Sequence, residues 1–171
     1  MSAKLAAAAR HARLALAPGA TLLEAITDAM TALAWPSATL LILGGPMQDA
    51  VFHTSILTPR ALPEPTGSGA VLYLMDKKSP RWIDYGPPRV LSAPAWLVMG
   101  SATYGTGRDG QPALHCHAML ASPEGPVGGH LAPDRCRIGA EGLVAHAISA
   151  AGAGFRVQHD AVTGFDLLAP A

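Results

Sequence analysis

The apolar positions of this chain follow two periods, and only one stretch follows the helical one. Its members recur at the spacing of a single helix face: Leu22, Ile26, Met30 and Leu33. Thr21 followed by Glu24 forms a capping-box pattern just before this stretch. Trp35-Pro36 ends it, because the residue before a proline avoids the α region. The pattern predicts one principal helix whose apolar face packs against a sheet.

Short apolar or alternating runs, separated by turns rich in glycine and proline, account for most of the remaining chain. They include residues 10–17, 38–43, 51–57, 70–75, 95–104, 114–120, 138–149 and 155–160. Gly44-Gly45-Pro46 predicts a break between two of these strands, and residues 58–69 and 76–88 predict loops. The pattern therefore predicts an α+β domain, in which a mainly antiparallel sheet of about seven or eight strands is flanked by the one helix.

Three histidines converge in the second half of the chain. His115 and His117 are two positions apart, so on a strand they share one face while Cys116 points to the other. The segment 121–129 contains prolines and glycines and predicts a turn that returns His130 beside the pair. Glycines just before His130 allow a close backbone approach. Histidines used only for structure, at the surface or bonded to backbone, are the alternative interpretation.

Three imidazoles on one face, with no obvious fourth side chain, are typical of an open zinc site. Zinc suits neutral imidazoles best among the common metals, although nickel, iron or copper accept the same ligands. A bound metal would activate water or polarise a carbonyl, and such chemistry needs an acid/base nearby. Glu141 is the candidate for that role, ahead of Glu124 and Asp134 in predicted turns, while His146 is a weaker alternative ligand.

Composition limits the classes of function. The 171 residues suit a single domain, and the 12 basic and 12 acidic residues leave no net charge. Dedicated nucleic-acid binders usually carry a basic surplus, so DNA is an unfavoured partner, although basic and aromatic residues alternate in 76–88. No apolar run reaches the length of a membrane span, and the two cysteines form no metal or redox pair. We therefore expect a cytoplasmic protein with free thiols.

The histidine segment resembles the central motif of the PPC domain, the plant-and-prokaryote conserved domain also called domain of unknown function 296. The matching residues are Leu114-His115-Cys116-His117 and Gly128-Gly129-His130-Leu131. Arg13 with Pro18-Gly19 is similar to the opening of the family, Glu141 occupies the place of its glutamate, and Phe155-Arg156 with Asp160 resembles its closing signature. The resemblance covers about residues 10–168.

This resemblance implies an antiparallel sheet flanked by a helix, assembled as a homotrimer, with a metal held by the three histidines near a subunit boundary. It also implies a fold relation to acetolactate decarboxylase, which is only an analogy as far as reaction type is concerned. Family members are often described as DNA-binding, yet the Arg-Gly-Arg-Pro hook of the plant proteins is absent here. We expect a lead-in over 1–9 and one PPC-like domain over 10–171.

Two functional hypotheses follow. The first is a metal-binding protein, with His115, His117 and His130 as ligands of zinc or a related metal. Such a site could support lyase or hydrolase chemistry on a small oxygenated substrate, with Glu141 as acid/base. The alternative is a DNA-binding or transcription-regulatory module of the PPC type. Whether the chain is an enzyme at all stays open at this stage.

Overall fold

The structure, a computed structural model, describes residues 9–59, 81–150, 154–159 and 166–171. The predicted strand at 70–75, most of the predicted loop at 58–69 and the start of the polar stretch at 76–88 lie outside these residues, as does the lead-in before Ala9. Within them the chain forms nine strands and one helix: β1 Ala9–Leu16, α1 Leu22–Ala32, β2 Ala38–Pro59, β3 Arg81–Thr106, β4 Pro112–Ser122, β5 Gly125–Leu131, β6 Arg137–Ile138, β7 Leu143–Ala150, β8 Phe155–His159 and β9 Asp166–Pro170.

The helix begins where the sequence predicts and ends at Ala32, shortly before the predicted stop at Trp35-Pro36. Thr21 accepts a hydrogen bond from the Glu24 amide on its side-chain oxygen at 3.2 Å, and the Thr21 amide donates to the Glu24 carboxylate at 2.9 Å. These bonds satisfy two groups at the helix start that would otherwise lack partners. The stripe predicted from periodicity is the buried face, with Leu22, Ile26 and Met30 fully covered. No helix in the described part of the chain is long and apolar enough to cross a membrane.

Four strands pair around a closed ring. β2 pairs with β3, β3 with β4, β4 with β5, and β5 returns to β2 through Phe52 and His53. The first half of β2 also pairs with β7, which pairs with β1. β6 pairs with the middle of β2, and β8 and β9 extend the sheet beyond the end of β3. The core lies on the inner side of these strands and beneath α1.

The predicted class, a sheet-rich α+β domain with one principal helix, is confirmed for the described residues, but the sheet differs in two details. It contains nine strands rather than about seven or eight. It is also mixed, because β8 runs parallel to β3 where Thr106 pairs with Arg156. Because β3 and β8 pair at a single residue each, the pairing does not change the alternation of apolar and polar residues in either strand. The sequence pattern therefore could not indicate it.

The break predicted at Gly44-Gly45-Pro46 was wrong. β2 continues through this segment, with its pairing to β7 shifted between Ile42 and Gly44. Gly44 and Gly45 have φ angles of 121° and 148°, a region that L side chains rarely adopt. A side chain at position 45 would also meet Leu143 and the Gly142 carbonyl oxygen. The glycines therefore bend the strand and let β7 approach, where the sequence pattern indicated an end.

β4 and β5 form the predicted hairpin around the histidines. Its turn is shorter than expected: Pro123 and Glu124 alone connect the two strands, so Gly125 to Gly129 already belong to β5. Ala121 pairs with Pro126, and the ladder continues without a shift to the pair His117 and His130. This tight hairpin fixes the register that brings the three histidines together.

Candidate metal centre

The first two histidines lie on the outer face of β4. His117 is exposed and His115 is half-buried, while Cys116 between them is fully buried on the inner side. Burial, with a smaller contribution from Cys136, raises the pKa of the Cys116 thiol to about 12. This confirms the expectation that strand alternation turns Cys116 away from the histidines.

β5 brings the third histidine to the same face. His130 lies directly across the ladder from His117, and residues opposite each other in an antiparallel pair point to the same side. On its other side His130 pairs with His53 of β2. A side chain at position 129 would collide with the His53 carbonyl and approach the Phe52 ring at 3.3 Å. The glycine is therefore required for β5 to lie this close to β2.

The three imidazoles surround one point. The centroids of the rings are 4.8 Å apart for His115 and His117, 4.7 Å for His115 and His130, and 5.1 Å for His117 and His130. The Nε2 atoms of His115 and His117 are 3.0 Å apart. One nitrogen from each of the three rings lies within 4.8 Å of the others. Sequence reasoning thus placed all three histidines in one cluster, as the structure does.

The environment favours the neutral form of all three rings. Burial lowers the pKa of His115 and of His117, and for His115 the neighbouring His117 adds to the effect. Burial first, and then the nearby imidazoles of His115, His117 and His53, lower the pKa of His130 to about 4. A metal binds an imidazole through an unprotonated nitrogen, so these ligands are available at neutral pH without first releasing a proton.

The donor set fits a tetrahedral metal. Zinc–nitrogen bonds of about 2.0–2.1 Å at tetrahedral angles place two ligand nitrogens about 3.3 Å apart. The 3.0 Å between the Nε2 atoms of His115 and His117 is close to that value, and one ring nitrogen of His130 lies within 4.8 Å of a nitrogen on each of them. Three neutral imidazoles are also the donors that zinc and its transition-series neighbours prefer. These residues could therefore hold such an ion and leave one position open.

Two further residues border the cluster, and sequence reasoning did not assign them to it. The Tyr85 hydroxyl is 3.5 Å from Nδ1 of His130, and the two rings are 4.9 Å apart. His53 lies beyond Tyr85, with ring centroids 6.0 Å apart, and its Nδ1 donates to the Gly86 carbonyl oxygen at 2.9 Å. The signal for Tyr85 was Gly86-Pro87-Pro88: prolines inside a sheet are found at edges and bulges, so this segment could indicate a bulged strand instead of a loop.

The structure does not bring the other predicted candidates into the cluster. Glu141 is exposed in the turn before β7, where Gly142 bonds back to Gly139, instead of lying in a strand. The Gly139 amide in turn donates to the Pro46 carbonyl oxygen, so this turn lies beside Pro46. At a rise of about 3.3 Å per residue, Pro46 is roughly 20 Å along β2 from His53, which borders the cluster. His146 is exposed on β7, and Glu124 and Asp134 are exposed in turns as predicted. The acid/base role of Glu141 stays a prediction.

An apolar surface flanks the exposed side of the histidines. Leu41 of β2 is opposite Ser101 of β3, and Ser101 is opposite His117, so all three point to the outer face. Met99 and Met119 form the neighbouring pair and are 53% and 46% exposed. A shallow pocket of about 250 Å³ lies among these residues. The histidine cluster therefore borders a surface that is less polar than an ordinary solvated one.

Comparison with known proteins places the fold. No family model matches the chain, and no curated protein matches it. Among solved structures, a plant- and prokaryote-conserved (PPC) protein from Pyrococcus horikoshii aligns over 99% of this chain and 97% of its own, with a TM-score of 0.65 and 18% identity. A metal-containing protein from Archaeoglobus fulgidus aligns over 96% and 95%, with a TM-score of 0.62 and 18% identity.

A third structure carries a different description. It comes from Ralstonia eutropha, is provisionally described as a DNA-binding protein, and aligns over 92% of this chain and 89% of its own, with a TM-score of 0.61 and 16% identity. At these identities the likeness shows the fold alone. The chain therefore has a PPC-like fold, as the histidine motif led us to expect. What these neighbours are described as binding applies to them, and none of the three is described as a lyase or a hydrolase.

Proposed function

We propose that this protein binds a divalent transition metal, with zinc as the first candidate, through His115, His117 and His130. The observation that carries the proposal is the convergence of three neutral imidazoles with their ligand nitrogens within 4.8 Å of one another. The Nε2 atoms of His115 and His117 are 3.0 Å apart. The pKa values of both rings are lowered, so each ring is neutral and has an unprotonated nitrogen that can bind a cation. The open fourth position would accept water or a small oxygen-containing ligand.

Metal content of the purified, untagged protein tests this proposal. Elemental analysis should find about one zinc per chain, and the metal should be lost in His117→Ala. The matched control is His146→Ala, which removes an exposed histidine from β7 on the same outer face and should keep the metal. If neither the native protein nor the control holds metal after zinc is added and the excess removed, the three histidines have a structural role only.

We further propose that the chain assembles as a homotrimer, with the apolar surface beside His117 buried between copies. Supporting this, the exposed apolar residues Leu41, Met99 and Met119 adjoin the cluster, and Ile148 continues the surface on β7. Monomeric proteins rarely leave such a contiguous apolar patch uncovered. A neighbouring copy there would bring the open side of the metal centre to a subunit boundary.

DNA binding is the second candidate function, and the description of the Ralstonia neighbour is the observation that favours it. The balanced charge of the chain supplies no general attraction to phosphates, so any such binding would depend on a local patch. A titration of a mixed-sequence duplex at low salt decides the matter. Affinity that falls steeply as salt is added would support the candidate, and the lack of binding at low salt would reject it.

A further inference from the structure

A bulge in β3 determines where Tyr85 lies. His53 pairs with Pro88, but Ser55 pairs with Tyr85, so β3 has one more residue than β2 between these two pairs. In an unbroken ladder Gly86 would be the partner of Ser55. A shift of one position in a strand reverses the face to which a side chain points. The extra residue therefore turns Tyr85 from the inner side of the sheet to the outer side, where the histidines are.

On the outer side Tyr85 is half-buried against His130. Its hydroxyl is 3.5 Å from Nδ1 of that ring, and the two rings are tilted by 39° with centroids 4.9 Å apart. The two nitrogens of an imidazole lie on different edges of the ring, so contact at Nδ1 leaves Nε2 for another direction. The rings of His115 and His117 are 4.7 Å and 5.1 Å from the His130 ring, close enough for all three to share one ion.

The same bulge orients a second imidazole, that of His53, through a hydrogen bond at its Nδ1. Nδ1 of His53 is 2.9 Å from the carbonyl oxygen of Gly86, and a carbonyl can only accept, so His53 carries its proton on Nδ1. A proton held on Nδ1 leaves the lone pair on Nε2. Metal-binding histidines are commonly oriented in this way, with the nitrogen that does not bind the metal donating to a neighbouring oxygen.

We infer that Tyr85 is a positioning residue for the metal centre: its hydroxyl oxygen accepts the Nδ1 proton of His130 and so holds the Nε2 lone pair toward His115 and His117. This inference rests on the proposed metal-binding function for its purpose, but the hydrogen bond itself needs no metal. Tyr85 is not a ligand in this assignment. It acts only through the tautomer and orientation of the His130 ring.

The test is the ring tautomer of His130 in metal-free protein labelled with ¹⁵N-histidine, read from long-range ¹H–¹⁵N correlations at neutral pH. His130→Gln identifies the signal. The native protein should show the proton on Nδ1, and Tyr85→Phe should lose this preference because it removes only the hydroxyl. The control is Tyr104→Phe, which removes a hydroxyl from a buried position on the other face of β3 and should leave the tautomer unchanged.

Zinc affinity gives the second readout. Competition with a chromogenic chelator should show Tyr85→Phe binding zinc about tenfold more weakly than the native protein, the usual effect of removing such a hydrogen bond. A proton on Nε2 of His130 in the native protein, or the same tautomer in Tyr85→Phe, overturns the inference. If the native protein binds no zinc, the proposed function fails, while the tautomer still decides the role of Tyr85 independently.

Discussion

His130 has the most perturbed environment of the described histidines. It is held between His117 of β4 and His53 of β2, and it is half-buried beneath the tyrosine ring of the bulge. Burial removes water from the imidazolium form, and three nearby imidazoles add repulsion whenever any of them is protonated. These effects act in the same direction, so protonation of His130 lowers the stability of the native state.

This predicts that the metal-free protein loses stability as pH falls from 6.5 toward 4. The pKa of His130 is about 4 when folded and near 6.5 when unfolded, so in this range the unfolded chain binds more protons. The free energy of unfolding should be about 2 kcal/mol lower at pH 5 than at pH 7. Urea unfolding at the two pH values measures it.

Two variants separate the cluster from the remaining titratable groups. His130→Asn should remove most of the difference between pH 5 and pH 7, because it deletes the ring that resists protonation. His146→Asn, at an exposed position on β7, should keep it. Equal pH dependence in the native protein and His130→Asn would contradict the prediction.

At the scale of elements, the β4–β5 hairpin and the returning strand β2 form one unit. The hairpin sets the register that puts His130 opposite His117, and Gly129 allows the next pairing, His130 with His53. Close backbone contact at Gly129 is therefore what joins the hairpin to β2 and closes the ring of strands. A side chain at that position would be resisted by backbone and by the buried Phe52 ring, neither of which can move cheaply.

Gly129→Ala should therefore destabilise the protein by about 1–3 kcal/mol, the usual cost of overpacking, and weaken metal binding by displacing His130. The neighbouring Gly128→Ala is the control, because a side chain on this exposed part of β5 would meet the Ala118 carbonyl oxygen at 3.3 Å and the Met119 Cα at 3.9 Å, without a severe clash. Urea unfolding and zinc competition of both variants measure the effects. Similar losses in the two variants would show that β5 does not depend on this contact.

The histidine hairpin could be predicted from the sequence because its signals are local. Two histidines at strand spacing, a short proline turn and paired glycines lie within a few residues of one another. Tyr85 and His53 could not be assigned in the same way, since they reach the cluster through a bulge and a distant strand pairing. The long strands β2 and β3 were missed for a related reason: Gly44-Gly45-Pro46 and Gly86-Pro87-Pro88 bend strands here, yet such segments more often end them.

At the scale of the whole molecule, the outer face of the sheet joins the histidine cluster to an apolar surface. Leu41, Met99 and Met119 are 44%, 53% and 46% exposed, and they lie next to His117. Hydrophobic alternation alone could not predict this apolar surface, because it shows which residues leave the core but not which strands adjoin one another. The trimer expected from the family resemblance would cover these residues.

A charge placed in this surface should separate the copies. Met99→Glu is expected to reduce the mass in solution from three chains to one chain of 17.5 kDa, because an interface cannot bury an unpaired carboxylate cheaply. Leu167→Glu is the control, since Leu167 is 40% exposed on β9, away from this face, and its replacement should leave the trimer intact. Sedimentation equilibrium measures the mass. A native protein of one-chain mass would contradict the proposed assembly.

Because β2 to β5 pair in a ring, each of these four strands has a strand neighbour on both sides over part of its length. Among the described residues the sheet ends at β1, which pairs only with β7, and at β9, which pairs only with β8. The strand β1 carries the charged end of the sheet. That strand exposes Arg10, His11 and Arg13 along its length. Positively charged side chains on an outermost strand discourage the indefinite strand-to-strand addition that leads to fibrils. Charge on β1 thus protects this end of the sheet from strand-to-strand addition.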